Sequence, residues 1–137
     1  MGRDRARVIA LDTNVLARAF AEDHEQQSRL AQQVLLDLTE DRPGFVNLTV
    51  ALELYWVLRQ VIRLDERRVH AIFDHMLGTA EFEIEHAESV GEALEHARRG
   101  ADFADALIDA TSRLYGLAET VTFDREAANR FGWRLLG

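Results

Sequence analysis

The chain has 137 residues, 47% hydrophobic and 29% charged, which suits one soluble globule and predicts a single domain over residues 1–137. It contains no cysteine, so disulfides, thiolate metal sites and cysteine nucleophiles are excluded. The formal net charge of −8 argues against nonspecific electrostatic binding to nucleic acid, although all sixteen basic residues are arginine, whose planar fork suits phosphate.

The basic segment Met1 to Arg7 is followed by an apolar run of only Val8 to Leu11, too short for a signal-peptide core. No stretch approaches the roughly 18 apolar residues of a membrane span, so a cytoplasmic protein without membrane contact is expected. Val8-Ile9-Ala10-Leu11 has the character of a buried parallel strand, and Asp12-Thr13-Asn14 that of a helix cap behind it. Helices are predicted from Val15 to Phe20 and from His24 to Leu38, before Asp41-Arg42-Pro43-Gly44 breaks the chain. Phe45-Val46-Asn47 predicts a second strand. Thr49 is the expected cap of a helix reaching about Ile62 that is apolar almost all round. Such a helix should be buried on more than one side, one against a sheet and the other against a second subunit.

Asp65 should cap a fourth helix ending near Leu77, and Glu81-Phe82-Glu83-Ile84-Glu85 alternates as a strand with one solvated acidic face. An amphipathic helix follows from Ser89 to Arg99, stopped by Gly100. Another starts at Asp102 or Asp105 and ends near Gly116. Thr120 to Phe123 forms a strand, Asp124 caps a short helix, and Trp133-Arg134-Leu135 makes a last edge strand. The alternation predicts an α/β fold with a mostly parallel central sheet of about four or five short strands flanked by helices. Ligands of such sheets gather beyond the carboxyl ends of the strands.

Four carboxylates stand in unusual places. Asp12 and Asp124 each follow a β-rich run, Asp105 opens a helix, and Glu53 sits in the apolar helix with no cation within reach along it. Taken singly, Asp12, Asp102 and Asp124 are ordinary helix caps. Taken together they describe a cluster at one sheet edge. Two carboxylates about 4 Å apart repel by roughly 4 kcal/mol at an effective dielectric near 20, so a cluster needs a proton or a cation. An all-oxygen site of this kind suits magnesium or manganese, the metals of assisted phosphoryl transfer.

The order of these segments resembles the PIN-domain family. Ile9-Ala10-Leu11-Asp12-Thr13-Asn14-Val15-Leu16 is similar to its opening motif, and Ala51-Leu52-Glu53-Leu54-Tyr55-Trp56-Val57-Leu58 to its second acidic motif. Asp102-Phe103-Ala104-Asp105-Ala106-Leu107-Ile108 resembles the third and Thr120-Val121-Thr122-Phe123-Asp124 the fourth. The resemblance implies that Asp12, Glu53, Asp105 and Asp124 ligate Mg2+ or Mn2+, with Asn14 and Thr122 as supporting polar groups and Asp102 as a supporting cap. Asp109, one turn after Asp105, is expected to be solvated or to stand behind the ligands.

Size and resemblance together point to a stand-alone, VapC-like toxin ribonuclease that hydrolyses RNA by metal-activated water. Its partners would be a cognate antitoxin and a second copy of itself. The alternatives are a non-catalytic PIN-like module acting through protein partners and a structure-specific DNA nuclease. The histidines are scattered, with His70 and His75 on different helix faces, so no zinc site is expected. Neither a glycine-rich phosphate loop nor a glycine-flanked serine nucleophile is present.

Overall fold

A computed structural model describes residues 5–137. The chain divides after Ala87 into two units, Met1–Ala87 and Glu88–Gly137, each with its own parallel sheet.

In the first unit, β1 (Ile9–Ala10) pairs with β2 (Gly44–Val46), and β2 pairs with β3 (Phe82–Ile84), all parallel. The ladder continues past β1, because the Leu11 N–H donates to the Phe45 carbonyl at 2.9 Å. The space beside Gly44 is filled by leucine side chains. A Cβ there would stand 2.5 Å from Leu11 Cδ1 and 3.0 Å from Leu38 Cδ1, so the Leu11 side chain would have to shift to admit one.

Helix α1 (Thr13–Ala21) follows β1, and α2 (Glu25–Leu36) packs against it. His24 caps α2 by accepting the Gln27 N–H on Nδ1. After β2 comes α3 (Leu48–Trp56), which packs on α1. Its cap is Asn47, not the expected Thr49: Asn47 Oδ1 accepts the Val50 N–H at 2.8 Å, and asparagine is the stronger capping residue. The expected helix to Ile62 is not α-helical throughout. Val57–Val61 winds as a π-helix, closed by the Ile62 N–H to the Val57 carbonyl, five residues back.

Nor is this helix buried all round. Val50, Ala51, Leu54 and Leu58 are buried, whereas Leu52, Trp56 and Val61 are exposed. Helix α4 (Glu66–Gly78), capped by Asp65 as expected, returns the chain to β3. The acidic face of β3 is more engaged than a solvated face would be. Glu83 accepts from the Arg5 guanidinium at 2.7 Å, and Glu85 Oε1 accepts the Leu48 N–H at 2.7 Å.

The second unit contains α5 (Ala87–Arg98, entered from the last residue of the first unit), α6 (Phe103–Arg113), β4 (Val121–Thr122), α7 (Arg125–Phe131) and β5 (Arg134–Leu135). Strands β4 and β5 pair in parallel. Gly100, with φ of 98°, takes the left-handed conformation that turns the chain between α5 and α6. The expected α/β fold with five short strands is present and every pairing is parallel; hydrogen bonding groups the strands three and two. Among the described residues no helix is long and apolar enough to cross a membrane.

Candidate active site

In the first unit β1 delivers Asp12 to the start of α1. Asp12 occupies the cap position in an extended conformation, and its carbonyl accepts the Val15 and Leu16 N–H groups at 3.1 and 3.3 Å. Its carboxylate accepts no capping hydrogen bond. The backbone therefore starts the helix, and an exposed carboxylate without a partner among the described residues stands at the carboxyl end of a parallel strand.

Thr13, next in the chain, is only 3% exposed. Its hydroxyl donates to Glu53 Oε1 at 2.5 Å, tying the residue after Asp12 to the second acidic motif. This contact was not expected from the sequence, yet a signal for it exists. Thr13, Leu16 and Ala17 share the 3.6-residue spacing of one helix face, and all three are buried. Glu53 itself is exposed, a correction to the expectation of a carboxylate inside a buried helix. It falls on the same open side of α3 as Leu52 and Trp56. Asn14 is exposed and borders a small apolar groove with Val15, Leu30 and Val34; its side chain forms no hydrogen bond among the described residues.

In the second unit three carboxylates converge. Asp102 caps α6, its Oδ1 accepting the Asp105 N–H at 2.9 Å. Asp105 sits half-buried in the first turn of that helix. Asp124 caps α7, with Oδ1 accepting the Glu126 and Ala127 N–H groups at 2.9 and 3.1 Å. All three line a pocket of about 330 Å³ together with Glu126 and Arg130. Burial, and after it the neighbouring charges of Asp102, Asp124 and Glu126, raise the Asp105 pKa above its ordinary value.

Thr122 supports Asp124 through the main chain, its Oγ1 accepting the Asp124 N–H at 2.9 Å. Arg130 is the pocket's cation. It donates to the Arg99 carbonyl at 3.3 Å and pairs with Glu126 at 3.6 Å. Asp109 is neither solvated nor free: it accepts from Trp133 Nε1 at 3.0 Å and from Arg113 Nε at 3.1 Å, which anchors the approach to β5.

The structure thus joins the Asp12 region to Glu53 through Thr13 in one unit, and gathers Asp102, Asp105 and Asp124 around one pocket in the other. Among the described residues no group of three or more histidine, aspartate or glutamate side chains stands arranged to hold a metal. Within each unit the candidate groups are carboxylates, the donors that suit a hard divalent cation. Asp12 accepts no side-chain hydrogen bond among the described residues, and burial together with like charge disfavours the ionised form of Asp105. His70 is buried, with Nε2 2.8 Å from the Tyr55 hydroxyl, and His75 lies edge-on to Phe20 and Phe82.

A family model described as "PIN domain" matches residues 9–132. No curated protein and no solved structure gives a significant match to the chain.

Proposed function

Because the chain belongs to the PIN-domain family, whose members are generally metal-dependent nucleases, we propose that it is an RNA-cleaving hydrolase acting as the toxin of a toxin–antitoxin pair. The observation that carries the nuclease reading is the Asp105 pocket. Burial and, after it, three neighbouring carboxylates raise the Asp105 pKa, a penalty on the charged form that a divalent cation would relieve.

Asp12, Glu53, Asp105 and Asp124 are the residues that would hold Mg2+ or Mn2+. When bound, such a cation supplies charge neutralisation for a phosphodiester and polarisation of water for attack. The chain's own groups prepare for this. Thr13 fixes the Glu53 carboxylate by donating to one oxygen. Asp102, by capping α6, holds the first turn from which Asp105 projects. Asp124 uses one oxygen for its two capping bonds, leaving the other for a ligand.

The toxin role rests on the resemblance of the four acidic motifs, in their order, to the family's. A homodimer, with α3 and its π-helical end as the contact, is supported by exposed Leu52, Trp56 and Val61. Restraint by a cognate antitoxin follows from the toxin role.

The test is incubation of the purified protein with mixed RNA and with single-stranded DNA, in magnesium, manganese or chelator, alongside Asp12→Asn. The expected result is metal-dependent cutting of RNA that falls at least about 100-fold in the variant, beyond what residues behind the ligands usually contribute. Folded, partner-free protein that cuts nothing would instead be a non-catalytic module. Equal cutting of DNA would remove the restriction to RNA.

A further inference from the structure

The most exposed large hydrophobic side chain among the described residues is Phe123, at 81%. Isolated apolar residues on a surface are ordinary, but this one has a particular setting. It lies between Thr122, the last residue of β4, and Asp124, which lines the carboxylate pocket. The turn carrying it is braced on both sides. The Leu136 N–H donates to the Thr122 carbonyl at 2.7 Å, the Asp124 N–H donates to Thr122 Oγ1, and Asp124 caps α7.

Elsewhere in the same unit, aromatic rings find one another: Phe131 stacks on Trp133 and meets His96 edge-on. Phe123 has no ring partner among the described residues. Arg125, two positions on, is exposed and forms no ion pair among the described residues. An unpartnered ring and an unpaired guanidinium therefore flank Asp124.

We propose that Phe123 stacks on an unpaired base of the substrate while Arg125 meets a neighbouring backbone phosphate, so that residues 123–125 grip a single strand beside the Asp105 pocket. The proposal rests on the nuclease reading above and adds to it the two residues, Phe123 and Arg125, that would hold the strand. A chain of net charge −8 repels a polyanion at long range, so its affinity must come from short-range contacts. Stacking is such a contact, and it accepts any base because every base has a π-face. A duplex keeps those faces covered and offers nothing to the ring. The braced turn loses little freedom on binding, which preserves the gain.

The test uses a short single-stranded oligoribonucleotide and its duplex as probes, with the full chain carrying Asp12→Asn in magnesium to prevent turnover. Phe123→Trp on this background reports contact directly. Its emission, corrected for Trp56 and Trp133 with the parent protein, should be quenched by the single strand and not by the duplex. Phe123→Ala and Phe123→Leu should each weaken single-strand binding roughly 10- to 100-fold. Arg125→Ala should lower the slope of log affinity against log salt by about 0.7 to 1.

Indifference of the tryptophan to the single strand, or wild-type affinity in both the alanine and leucine variants, would overturn the assignment. So would a Phe123→Ala protein that binds the strand normally but loses self-association, which would give the ring to a protein interface. Failure of the nuclease reading is seen separately, as absence of metal-dependent cleavage by the unmutated chain, because quenching is read without turnover.

Discussion

Asp12 and Asp124 occupy the same local pattern, one in each unit: a short β-run, an aspartate in extended conformation, then a helix. Their carboxylates do different things. Asp124 accepts two backbone N–H groups of α7, whereas Asp12 accepts none from α1 and leaves the start of that helix to its own carbonyl. Capping by an aspartate contributes about 1 kcal/mol, so the first unit forgoes a stabilisation that the second one uses. A side chain held out of a favourable local bond at the carboxyl end of a parallel strand is where function and local preference diverge. The second unit achieves the same separation within one helix: Asp102 takes the cap, and Asp105, three residues on, is left to the pocket.

The largest effect we expect from probing this contrast is on activity. Thr13→Val keeps the buried shape of the side chain but removes the proton donated to Glu53. RNA cleavage and magnesium affinity should fall roughly 10- to 100-fold, and Thr13→Ser should restore most of the loss. Unchanged metal titration in the valine variant would reduce the Thr13–Glu53 bond to packing. A smaller effect should appear in stability. Asp124→Ala should cost about 1 kcal/mol in urea unfolding, against less than about 0.5 kcal/mol for Asp12→Ala. Equal losses would erase the distinction between a capping and an uncommitted carboxylate.

The smallest effect is a pH dependence. The folded pKa of Asp105 is raised by burial and by Asp102, Asp124 and Glu126, so the native state prefers the neutral acid. The penalty is absent below the unfolded pKa, grows as pH rises toward the raised folded value, and is complete above it. Asp105→Asn should therefore raise the melting temperature of metal-free protein at neutral pH by at most a few degrees, and should leave it unchanged below about pH 3. Saturating magnesium should reverse the order, since only the unmutated chain gains from binding. A variant equally stable at both pH values would remove the repulsion from the account.

Much of this was legible in the sequence. The positions of β1, β2, β4 and β5 and the caps at Asp65 and Asp124 follow from local rules of apolar runs and short polar side chains, which left the opening of α6 between Asp102 and Asp105. Features governed by tertiary partners did not. Which face of α3 is open decides the exposure of Glu53, and an apolar sequence cannot state it. The π-turn at Val57–Val61 breaks no propensity rule, so nothing in the residues announces it. The role of Asp109 depends on Trp133, distant in sequence, and that of Thr13 on Glu53. Capping by Asn47 was accessible, because asparagine outranks threonine, but the apolar run after Thr49 concealed it.

Gly44 leaves room for a side chain of the neighbouring strand. The Cβ that any other residue would add there meets the Cδ1 atom of Leu11, the buried residue just before Asp12. The empty place on β2 is thus a berth for the leucine beneath the first acidic motif. Alanine at position 44 would make that leucine repack, and the core under the carboxylate would take up the change.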